Sequence, residues 1–286
     1  LQKAGYKTGY TGKGWSPGKL APGGRSENPA GTSYAKRNLQ PPFKAIRNTD
    51  YAGNFDDFLD AVEKEAPFCF WLGTSEPHRA YEKGAGKRTG KDPAKVIVPS
   101  IFPDNAIVRS DILDYYVEVE HFDLMVERAI ASLEKRGHLD NTIVVVTSDH
   151  GMPFPRAKAS LYDWGSRVPL AIRWPRGIRN PGRDVKDFVH LSDLAPTFIE
   201  AAGADVPSMM TASSLMKIFS GQKMNDRDAA YFAMERHDGC REGGKGYPCR
   251  AVRTQDYLYI YNFEPGRWPS GSPDPRVCAR SIPFGE

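Results

Sequence analysis

The chain has 286 residues, enough for one large α/β domain with a small appendage. Its hydrophobic share of 40% and charged share of 26% are those of a globular protein, and no apolar run approaches the length of a membrane span. The formal charge of +4 is too mild for a nucleic-acid binder, although clustered positive charge would suit an anionic substrate.

The first residues lead to Tyr10-Thr11-Gly12-Lys13-Gly14-Trp15, where glycines on both sides of Lys13 suit a tight turn that presents its side chain. A solvated turn lysine is the plainer reading of that residue alone. Residues 16–42 are rich in Gly, Pro, Ser and Asn and read as a long surface loop, the kind that is usually functional or disordered. Asn54 is expected to cap a helix over 55–65, with Asp56 and Asp57 at its positive end. Pro67 ends it, and 68–72 is predicted to be a buried strand. Polar residues follow that strand at once, in Gly73-Thr74-Ser75-Glu76-Pro77-His78-Arg79. A hydrogen-bonded loop histidine is the plainer reading of His78.

Ser110 is read as the cap of the longest helix, to about residue 136. Ile112, Tyr116, Val119, Phe122, Val126, Ile130 and Leu133 recur at helical spacing and predict its apolar face. Gly137 stops it. The next strand, 143–146, is an unbroken β-branched run, which predicts burial on both faces of a parallel sheet. Strand, helix and strand together predict a right-handed crossover unit. The apolar run ends at Ser148-Asp149-His150-Gly151, placing an acid and an imidazole where open α/β sheets bind ligands. Such a pair reads either as a metal site or as a turn or helix cap. Pro153 and Pro155 stiffen the loop that carries Arg156 and Lys158.

Further strands are predicted over 168–174 and 229–235, with a helix between them capped at Ser192-Asp193 and ended by Gly203. Arg236-His237-Asp238 follows the second of these strands. Residues 251–254 and 257–263 alternate as a hairpin does. The domain reading is an α/β domain over 1–240, truncated at its start, and the beginning of a small antiparallel subdomain over 241–286. Cys69 lies in an apolar run and reads as a buried free thiol. Cys240 and Cys249 flank a Gly-rich loop; their spacing permits a disulfide, which would fit an exported protein, without establishing one.

Several pieces taken together resemble the sulfatase family of the alkaline phosphatase superfamily, and within it the heparan N-sulfatase (sulfamidase)-like members. They are Gly12-Lys13, Glu76-Pro77-His78-Arg79, the run from Asn141 through Thr147-Ser148-Asp149-His150-Gly151-Met152-Pro153-Phe154-Pro155, Leu161-Tyr162, and Arg167-Val168-Pro169-Leu170. The resemblance spans nearly the whole chain. It implies an α/β fold with a mostly parallel central sheet flanked by helices, and a formylglycine-dependent hydrolase of sulfate esters or sulfamates on sulfated carbohydrates. By the same resemblance, Asp149 and His150 fall where a divalent cation, usually calcium, is bound. Lys13, His78 and Lys158 fall on catalytic positions that contact the nucleophile or the sulfate, and Arg236, His237 and Asp238 fall on sugar contacts.

The resemblance also places the formylglycine and an aspartate pair of the metal site upstream of Leu1. The chain is therefore expected to be a fragment, inactive alone, of a protein exported to the periplasm, cell exterior or lysosome. Trp15 stands where many members have His, and His150 where many have Asn. Calcium prefers oxygen ligands whereas imidazole suits softer metals, so the metal's position is better defined than its identity. Three functional readings stand in order: a sulfatase, a phosphatase or phosphonate hydrolase of the same superfamily, and a non-catalytic polyanion-binding protein. The catalytic residues and the metal pair are expected to converge on one cleft at the carboxyl edge of the sheet. The expected partner is a sulfated carbohydrate, with no nucleic acid and no membrane span.

Overall fold

A computed structural model describes residues 1–15, 19–224, 226–237 and 241–267. The chain divides into two compact units, one formed by Leu1–Asp140 with Ala202–Asp205, the other by Asn141–Ala201 and the described residues from Val206 on.

The first unit is built on a parallel sheet. Its strands are β1 (Lys7–Gly12), β2 (Thr32–Ser33) and β3 (Phe68–Gly73), in the order β2-β1-β3. Strand β3 lies where the apolar run predicted it. Strand β2 emerges from the stretch read as a long surface loop, because two extended residues suffice to pair with the open edge of β1. Helix α1 (Tyr51–Asp60) packs Phe55 and the fully buried Phe58 against Phe68, Phe70 and Tyr34. Gly9 of β1 permits this contact, since a Cβ there would lie 2.7 Å from the Phe58 ring. The cap of α1 is Asp50, which accepts from Gly53 N at 2.9 Å. Asn54, expected as the cap, is inside the helix. Its side chain instead bonds both the N–H and the C=O of Arg37, at 2.9 and 3.1 Å.

A short helix α2 (Ala85–Arg88) precedes the long α3 (Ala106–Lys135), whose cap is Asn105 rather than Ser110. Asn105 Oδ1 accepts from both Ile107 N and Val108 N at 3.0 Å, the bonding that makes Asn a strong N-cap. The predicted apolar face of α3 is only partly the buried one. Ile112 and Leu133 are buried, Tyr116 is exposed, and Val119, Phe122, Val126 and Ile130 are half-buried. The deeply buried positions include a polar series at helical spacing: Asp111, Asp114, Glu118 and His121.

In the second unit, β4 (Val144–Thr147) pairs antiparallel with β5 (Leu170–Arg173). The predicted parallel partnership of β4 is thus corrected: β5 is its strand partner among the described residues, and its four residues are half-buried. A β-branched run signals a strand under cover without specifying the direction of its neighbour. The turn α4 (Asp163–Ser166) precedes β5 in the chain. Helix α5 (Leu194–Ala201) begins just after Asp193, whose carboxylate accepts from His190 N at 2.8 Å. Beyond it, α6 (Met216–Phe219) buries Ile218 and Phe219 beneath Trp174 and Ile172.

Strands β6 (Ala229–Met234), β7 (Cys249–Thr254) and β8 (Leu258–Asn262) form an antiparallel sheet, which contains the predicted hairpin. One face of this sheet covers Leu161 and Tyr247. The fold is α/β.

Candidate active site

Strands β1 and β3 end side by side, with Gly12 opposite Gly73 in register. Both glycines are required there. Gly12 has φ +69° and a Cβ on it would meet the Gly73 carbonyl oxygen at 2.1 Å, while a Cβ on Gly73 would meet the Lys13 carbonyl at the same distance. Lys13 N donates to Gly73 O at 2.6 Å, so Lys13 leaves the sheet beside the loop that carries His78.

That loop is fixed at several points. Ser75 N donates to the buried Tyr51 hydroxyl at 3.0 Å, His78 N to Ser75 O at 3.0 Å, and the Tyr81 hydroxyl to Pro77 O at 3.0 Å. Burial pushes the Tyr51 phenol up to about 12, so it stays neutral. Arg79 donates to both carboxylate oxygens of Asp111 on α3, at 3.1 and 2.5 Å. Their side chains are 8% and 5% exposed, and the guanidinium also lies 4.7 Å from the centre of the Tyr81 ring. His78 Nδ1 lies 2.5 Å from the Arg79 carbonyl oxygen. A carbonyl only accepts, so Nδ1 carries the hydrogen and Nε2 is the nitrogen that exchanges a proton.

Lys13 and His78 line one cavity of about 670 Å³. The same wall includes Lys44, Arg47 and Glu118, which the sequence reading did not single out, and Glu76, which it named without a role. Glu76, buried, accepts from Arg47 N at 2.8 Å through Oε1, and its Oε2 has no hydrogen-bond partner among the described residues. Glu118 is 3% exposed; burial, reinforced by the charge of Glu76, pushes its carboxyl up to about 8, so it is neutral at pH 7. His121 is also buried, which lowers its pKa, and its Nε2 has no hydrogen-bond partner among the described residues. Asp114 accepts from Gly84 N and Gly86 N at 2.8 Å each, tying α2 to α3 behind the cavity loop. Residues 111, 114, 118 and 121 share one helix face by their spacing, and polar residues so placed ordinarily face water.

Asp149, His150 and Lys158 lie together on one loop of the second unit. His150 Nδ1 lies 2.7 Å from Gly151 O and so carries the hydrogen, which leaves Nε2 facing Asp149 Oδ1 at 3.6 Å. A ring nitrogen and a carboxylate oxygen turned toward each other are donor types that a divalent cation can take. Among the described residues no third His, Cys, Asp or Glu completes a ligand cluster. The pair thus fits part of a cation site and falls short of the six to eight ligands calcium takes.

Gly151 sits against the turn α4: its N–H donates to Gly165 O at 2.9 Å, and a Cβ would meet Trp164 O at 1.7 Å. The loop folds back through Phe154 N and Lys158 N, which both donate to Met152 O, and it buries Phe154 and Ala157. Arg156 and Ala159 both have φ +60°, a conformation unfavourable to side-chain-bearing residues that clusters at functional loops. Lys158 is thereby held half-buried.

Of the three candidate sugar contacts, Arg236 and His237 follow β6 directly and are exposed, with Arg236 reaching Gly244 O at 3.4 Å. Asp238 lies outside the described residues, as do Cys240 and hence the Cys240–Cys249 pairing. Cys69 is a free thiol, half-buried, and burial raises its pKa. The pattern Cys/Ser-X-Pro/Ala-X-Arg, which the family resemblance ties to formylglycine and which is expected to be absent from this chain, does occur in it, at Ser33–Arg37, Ser75–Arg79 and Cys249–Arg253, and that expectation is corrected. Ser33 is in β2 and Cys249 is buried in β7, whereas Ser75 lines the cavity beside His78. The pattern therefore does not by itself put the nucleophile outside these residues. No helix among the described residues is long and apolar enough to cross a membrane.

A family model described as Sulfatase matches residues 1–204, and one described as N-sulphoglucosamine sulphohydrolase, C-terminal, matches residues 153–268. Human N-sulphoglucosamine sulphohydrolase is 26% identical over 71% of this chain and 45% of its own length. An ulvan-active sulfatase of Formosa agariphila is 28% identical over 81% of this chain and 39% of its own. The chain thus spans less than half the length of these curated relatives. Among solved structures, a protein in complex with its substrate D-glucosamine-2-N,6-O-disulfate superposes with a TM-score of 0.66 at 21% identity, covering 92% of this chain and 74% of that one. A phosphonate monoester hydrolase from Silicibacter pomeroyi gives 0.62 at 21% identity, covering 80% and 57%. These structural likenesses establish the alkaline phosphatase-like fold, and with the family model matching residues 1–204, the chain belongs to the sulfatase family.

Proposed function

We propose that the protein carrying this chain hydrolyses sulfate esters or sulfamates on a sulfated carbohydrate. The observation that carries the reading is the meeting of Lys13 and His78, distant in sequence, on one cavity with a cationic wall. A sulfate keeps its charge on oxygens that must be held while sulfur is attacked. Lys13 supplies an ammonium donor for that charge, and Lys158 is assigned the same role by family likeness alone. His78, with Nδ1 fixed on the Arg79 carbonyl, offers Nε2 to protonate the departing oxygen or nitrogen. Asp149 and His150 would hold a divalent cation, calcium by family likeness, which when bound supplies further charge stabilisation. A formylglycine hydrate would supply the nucleophile. Arg236, His237 and Asp238 are assigned to the sugar. The named relatives act on N-sulphoglucosamine or ulvan, and the complexed structure holds a disulfated glucosamine, which favours a sulfated glycan as substrate and an exported location.

The test is sulfate release from N-sulfated and O-sulfated glucosamine, run beside phosphate-ester and phosphonate-ester substrates. The 286-residue chain is compared with a form extended upstream, each co-expressed with a formylglycine-generating enzyme. Release of sulfate by the extended form alone, abolished by His78→Ala, is expected. Preferential turnover of phosphonate would overturn the sulfatase reading. Release by the 286-residue chain itself, abolished by Ser75→Ala, would move the nucleophile inside these residues.

A further inference from the structure

The loop from Phe43 to Asn48 carries two of the cavity's cations, Lys44 and Arg47, to which neither family likeness nor motif gives a role. The loop is pinned from beneath. Ile46 is 3% exposed in a cluster with Ala85 and Val117, and Phe43 packs against it. Two carboxylates hold the loop by its backbone: Glu82 accepts from Lys44 N at 2.7 Å and Glu76 from Arg47 N at 2.8 Å. Glu82 is further engaged by Arg88 at 2.5 Å. The acids beside this loop thus bind its amides, and among the described residues neither the Lys44 ammonium nor the Arg47 guanidinium forms an ion pair with a carboxylate.

Two cationic heads on a fixed loop, both lining the cavity of Lys13 and His78, are more than a single sulfate needs. The cavity also exceeds a sulfate in size and falls within the range of about 300–1,000 Å³ typical of organic-ligand pockets. Glu118, the other acid of the wall, is neutral at pH 7 and does not cancel this charge. A guanidinium adds a planar fork suited to a carboxylate or sulfate face.

We propose that Lys44 and Arg47 form a second anion subsite, which takes a sulfate or carboxylate carried on the same sugar chain as the group held by Lys13 and His78. The proposal rests on the reading of this cavity as a sulfated-sugar site and adds that it selects multiply charged sugars.

The experiment is calorimetric titration of the 286-residue chain with three probes. They are glucosamine 2-N-sulfate, glucosamine 2-N,6-O-disulfate, and an N-sulfoglucosamine disaccharide bearing a uronate. The variants are Lys44→Ala, Arg47→Ala, the double replacement and, as a control, Lys13→Ala. Both loop residues are exposed, so the replacements leave the core intact, and thermal unfolding checks this. The double variant is expected to lose about tenfold or more in affinity for a doubly charged probe, and under about twofold for the monosulfate. Lys13→Ala is expected to weaken all three. Loss confined to the disulfate assigns the subsite to sulfate, and loss confined to the uronate probe assigns it to carboxylate; either supports the proposal. Equal weakening of singly and doubly charged probes would overturn the subsite while leaving the sulfated-sugar reading intact. Absence of binding, or binding unaffected by Lys13→Ala, would overturn that reading and the subsite with it.

Discussion

The cavity loop of the first unit and the Asp149–Lys158 loop of the second are held in place by different means. The second is set by its own sequence: Gly151 lies against a turn, Pro153 and Pro155 restrict the chain, and two amides close on Met152 O. The first is set from a distance. Asp111, thirty-two residues on from Arg79, clamps the guanidinium whose backbone carbonyl orients His78. Local constraint survives the loss of a side chain better than a buried ion pair survives the loss of one partner.

The largest effect should therefore come from the clamp. Asp111→Ala leaves Arg79 charged and buried and is expected to cost about 3–5 kcal/mol in urea unfolding. A loss under about 1 kcal/mol would show that the pair is solvated and the contrast between the two loops false. Next in size, Lys158→Ala in an extended, formylglycine-bearing form should lower kcat/KM on a sulfated sugar on the order of a hundredfold or more, as for a lost oxyanion donor. Near wild-type turnover would remove Lys158 from the mechanism.

On the locally constrained side, Gly151→Ala must displace the Trp164 carbonyl and is expected to cost about 1–3 kcal/mol, the usual range for overpacking. An unchanged melting temperature would mean that the loop has room the structure does not show. The last effect concerns the neutral carboxyl of the cavity wall. The Glu118 pKa is raised from 4.5 to about 8 on folding, so the folded state holds its proton more tightly. Its stabilising contribution is full below pH 4.5 and is lost as pH rises through about 8. Glu118→Gln removes this titration, so its melting temperature relative to wild type should rise with pH between 5 and 8.5, by on the order of a few °C. A pH-independent difference would mean that Glu118 is ionised throughout.

Within each unit the candidate residues stood out for a simple reason: they come after strands whose apolar runs are unmistakable. Lys13 follows β1, His78 follows β3, and Asp149 and His150 follow β4. Lys44 and Arg47 were not legible, because nothing in the surrounding loop shows that Ile46 is an anchor and that its neighbours face a cavity. The direction of β4 was equally hidden, since pairing depends on which strand arrives beside it.

The sequence by itself determined that β3, β4 and the β7–β8 hairpin exist, that one long helix lies between β3 and β4 in the chain, and that a glycine- and proline-shaped turn follows β4. Only the tertiary structure decided which face of that helix is buried. Asp111, Asp114, Glu118 and His121 have the spacing of a solvated stripe, and polar residues at such spacing ordinarily face water. What buries two of them is supplied from elsewhere in the chain: the Arg79 guanidinium for Asp111, and the Gly84 and Gly86 amides for Asp114. A buried polar group is tolerable only with its partner, and the partner is a fact of the fold.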